Sequence, residues 1–231
     1  FQAIRDAARA MEIRLEEAAV AVVGATGAIG RVCAELLAGE AARLLLIARD
    51  ENKLARLRER LSTPDGVVHA RSELVVSTSM EILKDAQLIL TVTSAIHDVI
   101  RPQYLQAGSV VCDVARPRDV SAMVAASRDD ILVIDGGMVD VPGPVNFNFD
   151  FGFPEGKAYA CMAETIALAL EGRFEDYTVG KDITLERVRE ITAIAERHGF
   201  RMSGFRSFER EVTQEQIEVV RKNARKGLSR A

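Results

Sequence analysis

The three cysteines of this sequence differ in how well their surroundings suit nucleophilic chemistry. Cys33 and Cys112 fall inside apolar periodic segments, which favours buried positions in a core. Cys161 follows an irregular segment and lies near the start of a predicted helix, where a thiolate is favoured. Lys157 adds a positive charge on the same predicted helix face, whereas Glu164 opposes it. From these residues alone, a structural cysteine and a nucleophile both remain open at position 161.

A glycine-rich turn, VAVVGATGAIG at residues 20–30, predicts a dinucleotide site because it links a strand-length apolar run to a helix. Gly24 permits the tight turn, and Gly27 and Gly30 let the backbone approach a pyrophosphate at the helix N-terminus. The spacing is GxxGxxG, with Thr26 at the usual second glycine, so a turn without a ligand remains the alternative. The candidate contacts are Gly24, Thr26, Gly27, Ala28, Ile29 and Gly30.

The end of the second predicted strand favours NADP over NAD. An NAD site usually carries a carboxylate there for the ribose 2′-hydroxyl, but this strand ends in Ala48 and Arg49. Arg49 and Lys53 are cations where a 2′-phosphate would lie. Two alternatives remain: a shift of one residue brings Asp50 to the ribose, or the two cations only solvate a helix start.

Small residues end the fourth and sixth predicted strands, at 87–95 and 131–137. Small side chains at these strand ends allow a nicotinamide to lie over the edge of the sheet. Ordinary strand-end turns explain the same residues. The candidate contacts are Thr93, Ser94, Ala95, Gly136 and Gly137.

The three histidines offer one candidate for a general acid or base. His97 follows the fourth predicted strand, beside the expected nicotinamide site, and imidazole titrates in the useful range. His198 precedes Gly199 at a predicted helix end, where histidine commonly caps the helix, so we interpret it as structural. His69 lies in a predicted loop and carries no signal.

The elements that must position these residues alternate between strand and helix along the first 137 residues. Such alternation implies right-handed crossovers, and therefore an α/β fold with a doubly wound Rossmann-type parallel sheet and additional C-terminal helices. The predicted strands are 19–25, 43–48, 73–78, 87–95, 109–115 and 131–137. The predicted helices are 2–16, 27–38, 51–61, 79–85, one through Tyr104, 121–127, 157–172, 184–199 and 212–226.

We divide the chain into three parts: a leading helix at 1–17, an NADP-binding Rossmann domain at 18–145, and a loop and helical segment at 146–231. The third part carries Cys161. Its start belongs to the irregular segment 141–156, whose four phenylalanines either line an apolar cleft or plug the end of the sheet. The last helix becomes basic, which we interpret as a solvated helix end. Its cations are Arg221, Lys222, Arg225 and Lys226.

Composition excludes several classes of protein. A net charge of −4 over 231 residues argues against nucleic-acid binding by bulk electrostatics. Three cysteines without CxxC spacing argue against a zinc site or disulfide framework, and favour reduced thiols in the cytoplasm. No apolar run approaches about 18 residues, so we expect no transmembrane segment. From the cysteine spacing we expect no metal site. Because the chain starts at Phe1, we expect an N-terminal region to be missing.

Four stretches give the sequence a resemblance to the long-chain acyl-[acyl-carrier-protein] reductase family. They are VAVVGATGAIG, LLLIARDENKLARL, AYACMAET and ITAIAERHGF, in family order across most of residues 14–200. The resemblance implies that Cys161 is a nucleophile, that NADPH is the cofactor and that fatty aldehyde is the product. It also implies an acyl carrier protein or acyl-CoA as acyl donor, and a downstream enzyme that consumes the aldehyde.

Two other functions remain as alternatives. A shikimate- or semialdehyde-type NADP-dependent dehydrogenase uses a similar glycine loop, and the shikimate type needs no cysteine. A non-enzymatic module that senses NADP would bind the cofactor without oxidising it.

Overall fold

A six-stranded parallel sheet forms the centre of the protein, as a computed structural model shows for residues 1–63, 71–180 and 183–228. The strands are β1 (Ala19–Val23), β2 (Arg43–Ile47), β3 (Glu73–Ser77), β4 (Leu88–Thr91), β5 (Val110–Asp113) and β6 (Leu132–Asp135). Their order is β3-β2-β1-β4-β5-β6, so the direction of winding reverses between β1 and β4. This order confirms the predicted doubly wound Rossmann-type sheet.

Both faces of the sheet are covered, which explains why its strands are continuous apolar runs. Val20 and Val22 of β1 contribute to one apolar core, and Ala21 and Val23 contribute to a second core on the opposite face. The helices of this part are α1 (Gln2–Ala10), α2 (Ala28–Leu37), α3 (Glu51–Ser62) and α4 (Ala122–Ser127). Short 3₁₀ helices occupy Leu15–Glu17, Met80–Asp85 and Pro102–Tyr104.

The leading helix is shorter than the predicted 2–16. It ends at Ala10, and Glu12 adopts a left-handed conformation with φ of 59°, which stops the helical hydrogen bonding. A 3₁₀ turn then leads into β1. The side chain of Met11 is buried beside Ile4 and Ala8 of α1 in the first core. These apolar residues are therefore buried as their spacing predicts, although the helix ends earlier.

A second, three-stranded antiparallel sheet follows the first, and the sequence did not predict it. It consists of β7 (Met138–Asp140), β8 (Lys157–Tyr159) and β9 (Arg201–Met202), with β7 in the middle. The helices α5 (Ala160–Leu170) and α6 (Leu185–Arg197) pack on it around a third core. Residues 157–159 were expected to be helical. They form a strand instead because they pair with β7, a contact between positions far apart in the sequence.

The last helix returns to the Rossmann part of the protein. A hairpin of β10 (Arg206–Ser207) and β11 (Arg210–Glu211) leads into α7 (Gln214–Leu228). Ile217 of α7 is buried in the first core, and Arg221 and Arg225 form ion pairs with Glu12 at 2.6 and 2.7 Å. Two cations of the basic cluster are therefore bound within the chain, and the predicted segment 146–231 contributes to two cores.

Over the part of the chain that the structure describes, no helix is long and apolar enough to cross a membrane. The same residues contain no group of three or more His, Cys, Asp or Glu side chains arranged to hold a metal ion.

Candidate active site

The glycine turn lies where β1, β2 and β4 end, at the edge of the sheet where ligands of this fold bind. Gly24 has φ of 83°, and a Cβ there would lie 2.5 Å from the carbonyl oxygen of Val92. A Cβ at Gly30 would lie 2.1 Å from the carbonyl oxygen of Gly24. Glycine at 24 and 30 is therefore required to pack the turn against β4 and α2. For Gly30 this close packing, rather than an approach to phosphate, is what the geometry shows.

The start of α2 leaves backbone donors available for an anion. Gly27 is the N-cap residue and has no side chain to accept hydrogen bonds from the first turn. The N–H groups of Ala28, Ile29 and Gly30 lack intrahelical acceptors because of their position at the start of the helix. Ile29 is partly exposed beside them. This arrangement fits a dinucleotide pyrophosphate.

The cations after β2 remain at the surface, and the competing carboxylate is engaged elsewhere. Asp50 is the N-cap of α3, where its Oδ1 accepts a hydrogen bond of 3.0 Å from the backbone N–H of Lys53. That bond lowers the pKa of Asp50. Arg49 is exposed at the end of β2. Asp50, the candidate for the ribose 2′-hydroxyl, is thus a helix cap. Arg49, the candidate for a 2′-phosphate, is available to bind one.

The loop after β4 is held by a buried carboxylate that sequence reasoning missed. Asp119 accepts hydrogen bonds from Thr91 Oγ1 at 2.5 Å, from Thr93 N at 2.9 Å, and from Thr93 Oγ1. The Thr93 hydroxyl also accepts from the backbone N–H of Ala95. The side chain of Thr93, predicted to contact the cofactor, is therefore turned into the protein. Ser94 remains exposed.

The two glycines after β6 have different surroundings. A Cβ at Gly136 would lie 2.7 Å from Val114 Cγ2 and 3.1 Å from Cys112 Sγ. Glycine is therefore needed here because the neighbouring side chains leave no room for a larger residue. Gly137 has φ of 81° and open space on the side where a Cβ would lie. Of the pair, Gly137 is the one that a ligand can approach.

Cys161 is exposed, whereas Cys33 and Cys112 are buried. Burial raises the pKa of the Cys33 thiol, and it raises the pKa of Cys112 to about 12. Cys161 is the second residue of α5, and the N–H of Ala160 donates a 2.7 Å hydrogen bond to the carbonyl oxygen of Gly137. The fold thereby joins the start of the cysteine helix to the end of β6.

The two charged neighbours expected to influence Cys161 have other partners. Lys157 lies on β8 rather than on the helix, and its Nζ donates to Asp140 Oδ1 and Ser203 Oγ, both at 2.6 Å. Glu164 accepts a hydrogen bond from the hydroxyl of Thr178. The predicted opposition of Lys157 and Glu164 on one helix face is thus wrong, because the helix starts three residues later than expected.

Of the histidines, His97 is exposed in the loop after β4. His198 is the C-cap residue of α6, and its Nε2 lies 2.8 Å from Glu171 Oε1, a hydrogen bond that lowers the pKa of Glu171. The structural interpretation of His198 fits this geometry. His69 lies outside the described residues.

Arg116 is a further residue beside the cysteine helix that sequence reasoning missed. It follows β5, and its guanidinium carbon lies 5.8 Å from the ring centroid of Tyr159, the N-cap residue of α5. The carboxylate of Asp113 holds the same loop by accepting from the N–H groups of Ala115 and Val120, both at 3.0 Å. Burial raises the pKa of Asp113 to about 6.

A comparison with models of protein families identifies the relatives of this chain. Residues 5–135 match the family described as shikimate / quinate 5-dehydrogenase, and this stretch is more than half of the 231 residues. The chain belongs to the shikimate / quinate 5-dehydrogenase family. The matched stretch includes the glycine turn and the whole six-stranded sheet, and it ends before Cys161.

Curated relatives extend the similarity beyond the family match. The chain is 33% identical over 214 residues to the aminotransferase PigE of Serratia sp., covering 90% of this chain and 24% of that protein. It is 31% identical over 205 residues to the long-chain acyl-[acyl-carrier-protein] reductase of Synechococcus elongatus, covering 85% and 57%. The chain thus spans about a quarter and just over half the length of these relatives. Because the two matches cover 90% and 85% of this chain, both extend over position 161.

Among solved structures, the glutamyl-tRNA reductase from Methanopyrus kandleri aligns with 99% of this chain and 43% of its own, with 17% identity and a TM-score of 0.46. Family membership, the glycine turn and the sheet order together identify this member of the shikimate / quinate 5-dehydrogenase family as an NADPH-binding protein of the Rossmann type. The sequence similarity to the acyl-[acyl-carrier-protein] reductase is a distant relationship.

Proposed function

We propose that this protein is an NADPH-dependent reductase that converts a long-chain acyl thioester to a fatty aldehyde through an acyl-enzyme on Cys161. The observation that carries the proposal is the exposed Cys161 thiol at the start of a helix tied to Gly137, at the edge of the NADPH-binding sheet. The similarity to the Synechococcus elongatus reductase supports an acyl carrier protein or acyl-CoA as donor. An aldehyde-consuming enzyme would act next.

In the first half of the proposed reaction, the Cys161 thiolate attacks the carbonyl carbon of the acyl thioester. The bond between that carbon and the sulfur of the carrier breaks, and the carrier leaves as a thiol after taking up a proton. The product is an acyl group in thioester linkage to Cys161. This step needs a reduced thiol, which is the state that thiols keep in the cytoplasm.

The second half releases the aldehyde. When bound, NADPH would supply the hydride that reduces the carbonyl carbon of the acyl-enzyme. The carbon–sulfur bond to Cys161 would then break. Cys161 leaves as thiolate and is ready for another acyl group. Gly137, which has open space on one side, allows the reacting carbon and the nicotinamide to approach each other over the end of β6.

The oxyanion of each half requires hydrogen-bond donors. The Ala160 N–H is engaged by Gly137, but the N–H groups of Cys161 and Met162 lie in the first turn of α5 and have no intrahelical acceptor. We assign these two backbone groups to the oxyanion. His97 remains the candidate for the proton that the departing carrier takes up, since it is exposed after β4.

For the cofactor, we propose that the N–H groups of Ala28, Ile29 and Gly30 bind the pyrophosphate, and that Arg49 and Lys53 bind the 2′-phosphate. Thr26, Ser94 and Ala95 remain proposed contacts. Thr93 contributes through its backbone alone, because its side chain binds Asp119. These contacts together select NADPH over NADH.

A dehydrogenase acting on a small polar substrate without a cysteine nucleophile is the second candidate. It is favoured by the family match, which covers the sheet and does not reach Cys161. Cys161→Ser separates the two candidates when aldehyde formation and NADPH oxidation are measured with decanoyl-CoA. The acyl reductase loses both activities in this variant, whereas the second candidate oxidises no NADPH with decanoyl-CoA in either the unmodified protein or the variant. Cys33→Ser, at a buried core position, serves as the matched control.

A further inference from the structure

A cluster of four phenylalanines lies between the third core and the helix that carries Cys161. Phe147, Phe149, Phe151 and Phe153, here called the aromatic wall, alternate with other residues between β7 and β8. The ring centroid of Phe151 lies 5.8, 4.7 and 5.5 Å from those of Phe147, Phe149 and Phe153, respectively. The ring of Phe153 then meets Tyr159 edge-on at 5.0 Å. Tyr159 is the N-cap residue of α5, so the wall reaches the start of the helix that carries Cys161.

The residues between the rings fold the segment into fixed turns. Asn146 Oδ1 accepts from the backbone N–H of Asn148, and Asp150 Oδ1 accepts from that of Gly152, both at 2.7 Å. These side chains satisfy the backbone locally, as Asn and Asp do in turns.

The wall exposes aromatic surface that a folded protein normally covers. Phe149 is 70% exposed and Phe151 is 38% exposed, whereas Phe147 packs against the third core. The segment that carries the wall encloses a hollow of about 340 Å³. This volume is in the range of small-molecule sites, and the lining combines the aromatic rings with polar side chains such as Asn146 and Asn148. Contiguous exposed apolar side chains commonly mark a binding site.

The charges around the hollow indicate an uncharged, apolar occupant. Lys157 lines it, but its ammonium group is engaged by Asp140 and Ser203. The other charged residues of the lining are Asp150 and Glu155, which repel a phosphate or carboxylate. We infer that the aromatic wall binds the alkyl chain of the acyl group delivered to Cys161, an inference that rests on the reductase function proposed above.

The absence of tryptophan from the sequence allows a direct test. Phe149→Trp in a Cys161→Ser background places a single tryptophan on the wall and prevents acyl transfer. Phe174→Trp is the matched control, because Phe174 is 87% exposed beyond the far end of α5. Fluorescence emission is recorded while decanoyl-CoA, octanoyl-CoA or coenzyme A is added.

We expect decanoyl-CoA to shift the Phe149→Trp emission to shorter wavelength with saturation, and coenzyme A to have no effect. Each additional buried methylene should tighten binding about fourfold, so decanoyl-CoA should bind at least tenfold more tightly than octanoyl-CoA. Phe174→Trp should not respond. Equal shifts in both variants, equal shifts with coenzyme A, or no shift at all would overturn the inference.

This experiment and the test of the proposed function fail separately. If Cys161 of the unmodified protein accepts an acyl group while Phe149→Trp does not respond, the reductase function stands and the wall does not hold the chain. If Phe149→Trp responds but Cys161 is never acylated, the alkyl site stands and the acyl-enzyme mechanism falls.

Discussion

At the scale of single residues, the site depends on glycines where the backbone packs closely against other backbone atoms or leaves room for a ligand. Gly24 and Gly30 bring the turn, β4 and α2 together, and Gly137 leaves room beside the cysteine helix. The spacing of Gly24 and Gly30 in the sequence predicted a tight turn between a strand and a helix. The division of roles between packing and ligand contact could not be predicted, because it depends on carbonyl groups contributed by other strands.

Gly30→Ala tests the packing role. The added Cβ would lie 2.1 Å from the Gly24 carbonyl oxygen, so α2 must move away from the turn. We expect a loss of about 1–3 kcal/mol in the free energy of unfolding. We also expect at least tenfold weaker NADPH binding, measured by titration calorimetry. Gly39→Ala, where a Cβ meets nothing within 4 Å, should change neither quantity. Identical behaviour of the two variants would contradict the assignment.

Arg49→Gln tests the choice of dinucleotide. Removing a charged donor from the 2′-phosphate should weaken NADPH binding about tenfold and leave NADH binding unchanged. Because Arg49 is exposed, the effect should shrink as salt is added. Arg58→Gln removes the same charge from the exposed side of α3, away from the end of β2, and is the control. Equal losses for NADPH and NADH would show that Arg49 does not read the phosphate.

At the scale of elements, the long strands and helices were predictable, and the short strands were not. The apolar runs of β1 and β2 reflect burial on both faces, which is visible in the sequence alone. β7, β8 and β9 contain only three, three and two residues, and they exist because they pair with one another. Asp119 likewise binds Thr91 and Thr93, 28 and 26 residues away.

The loop after β5 should make stability depend on pH. Asp113 has a pKa of about 6 in the folded protein, whereas an unfolded aspartate has about 4. The folded state therefore binds the proton more tightly, and this contribution is complete below about pH 4 and is lost as pH rises through 6. Denaturant titrations of Asp113→Asn should lack this part of the decline. An unchanged pH slope in that variant would contradict the buried ionisation.

At the scale of the whole molecule, the chain closes on itself. α7 covers the first core with Ile217 and holds Glu12 with two arginines, so residues at the two ends of the described chain stabilise each other. The predicted leading helix and the predicted third segment thus meet on the Rossmann sheet. The sequence predicted a last helix with a basic end, but nothing in it indicated which core this helix would join.

Ile217→Ala tests this closure. Truncating a buried isoleucine should lower the free energy of unfolding of the Rossmann part by about 2–5 kcal/mol. Val219→Ala, two residues further on the exposed side of α7, should cost little. Thermal unfolding followed by circular dichroism compares the two variants. Equal stability of both would mean that α7 does not hold the sheet.

The central claim is that Cys161 carries the acyl group. Incubating the protein with decanoyl-CoA in the absence of NADPH, followed by mass spectrometry of its peptides, measures this directly. We expect one added decanoyl group on the peptide that contains Cys161 and none on those containing Cys33 or Cys112. Addition of NADPH should release the group as aldehyde. An unmodified Cys161, or a decanoyl group that persists with NADPH, would contradict it.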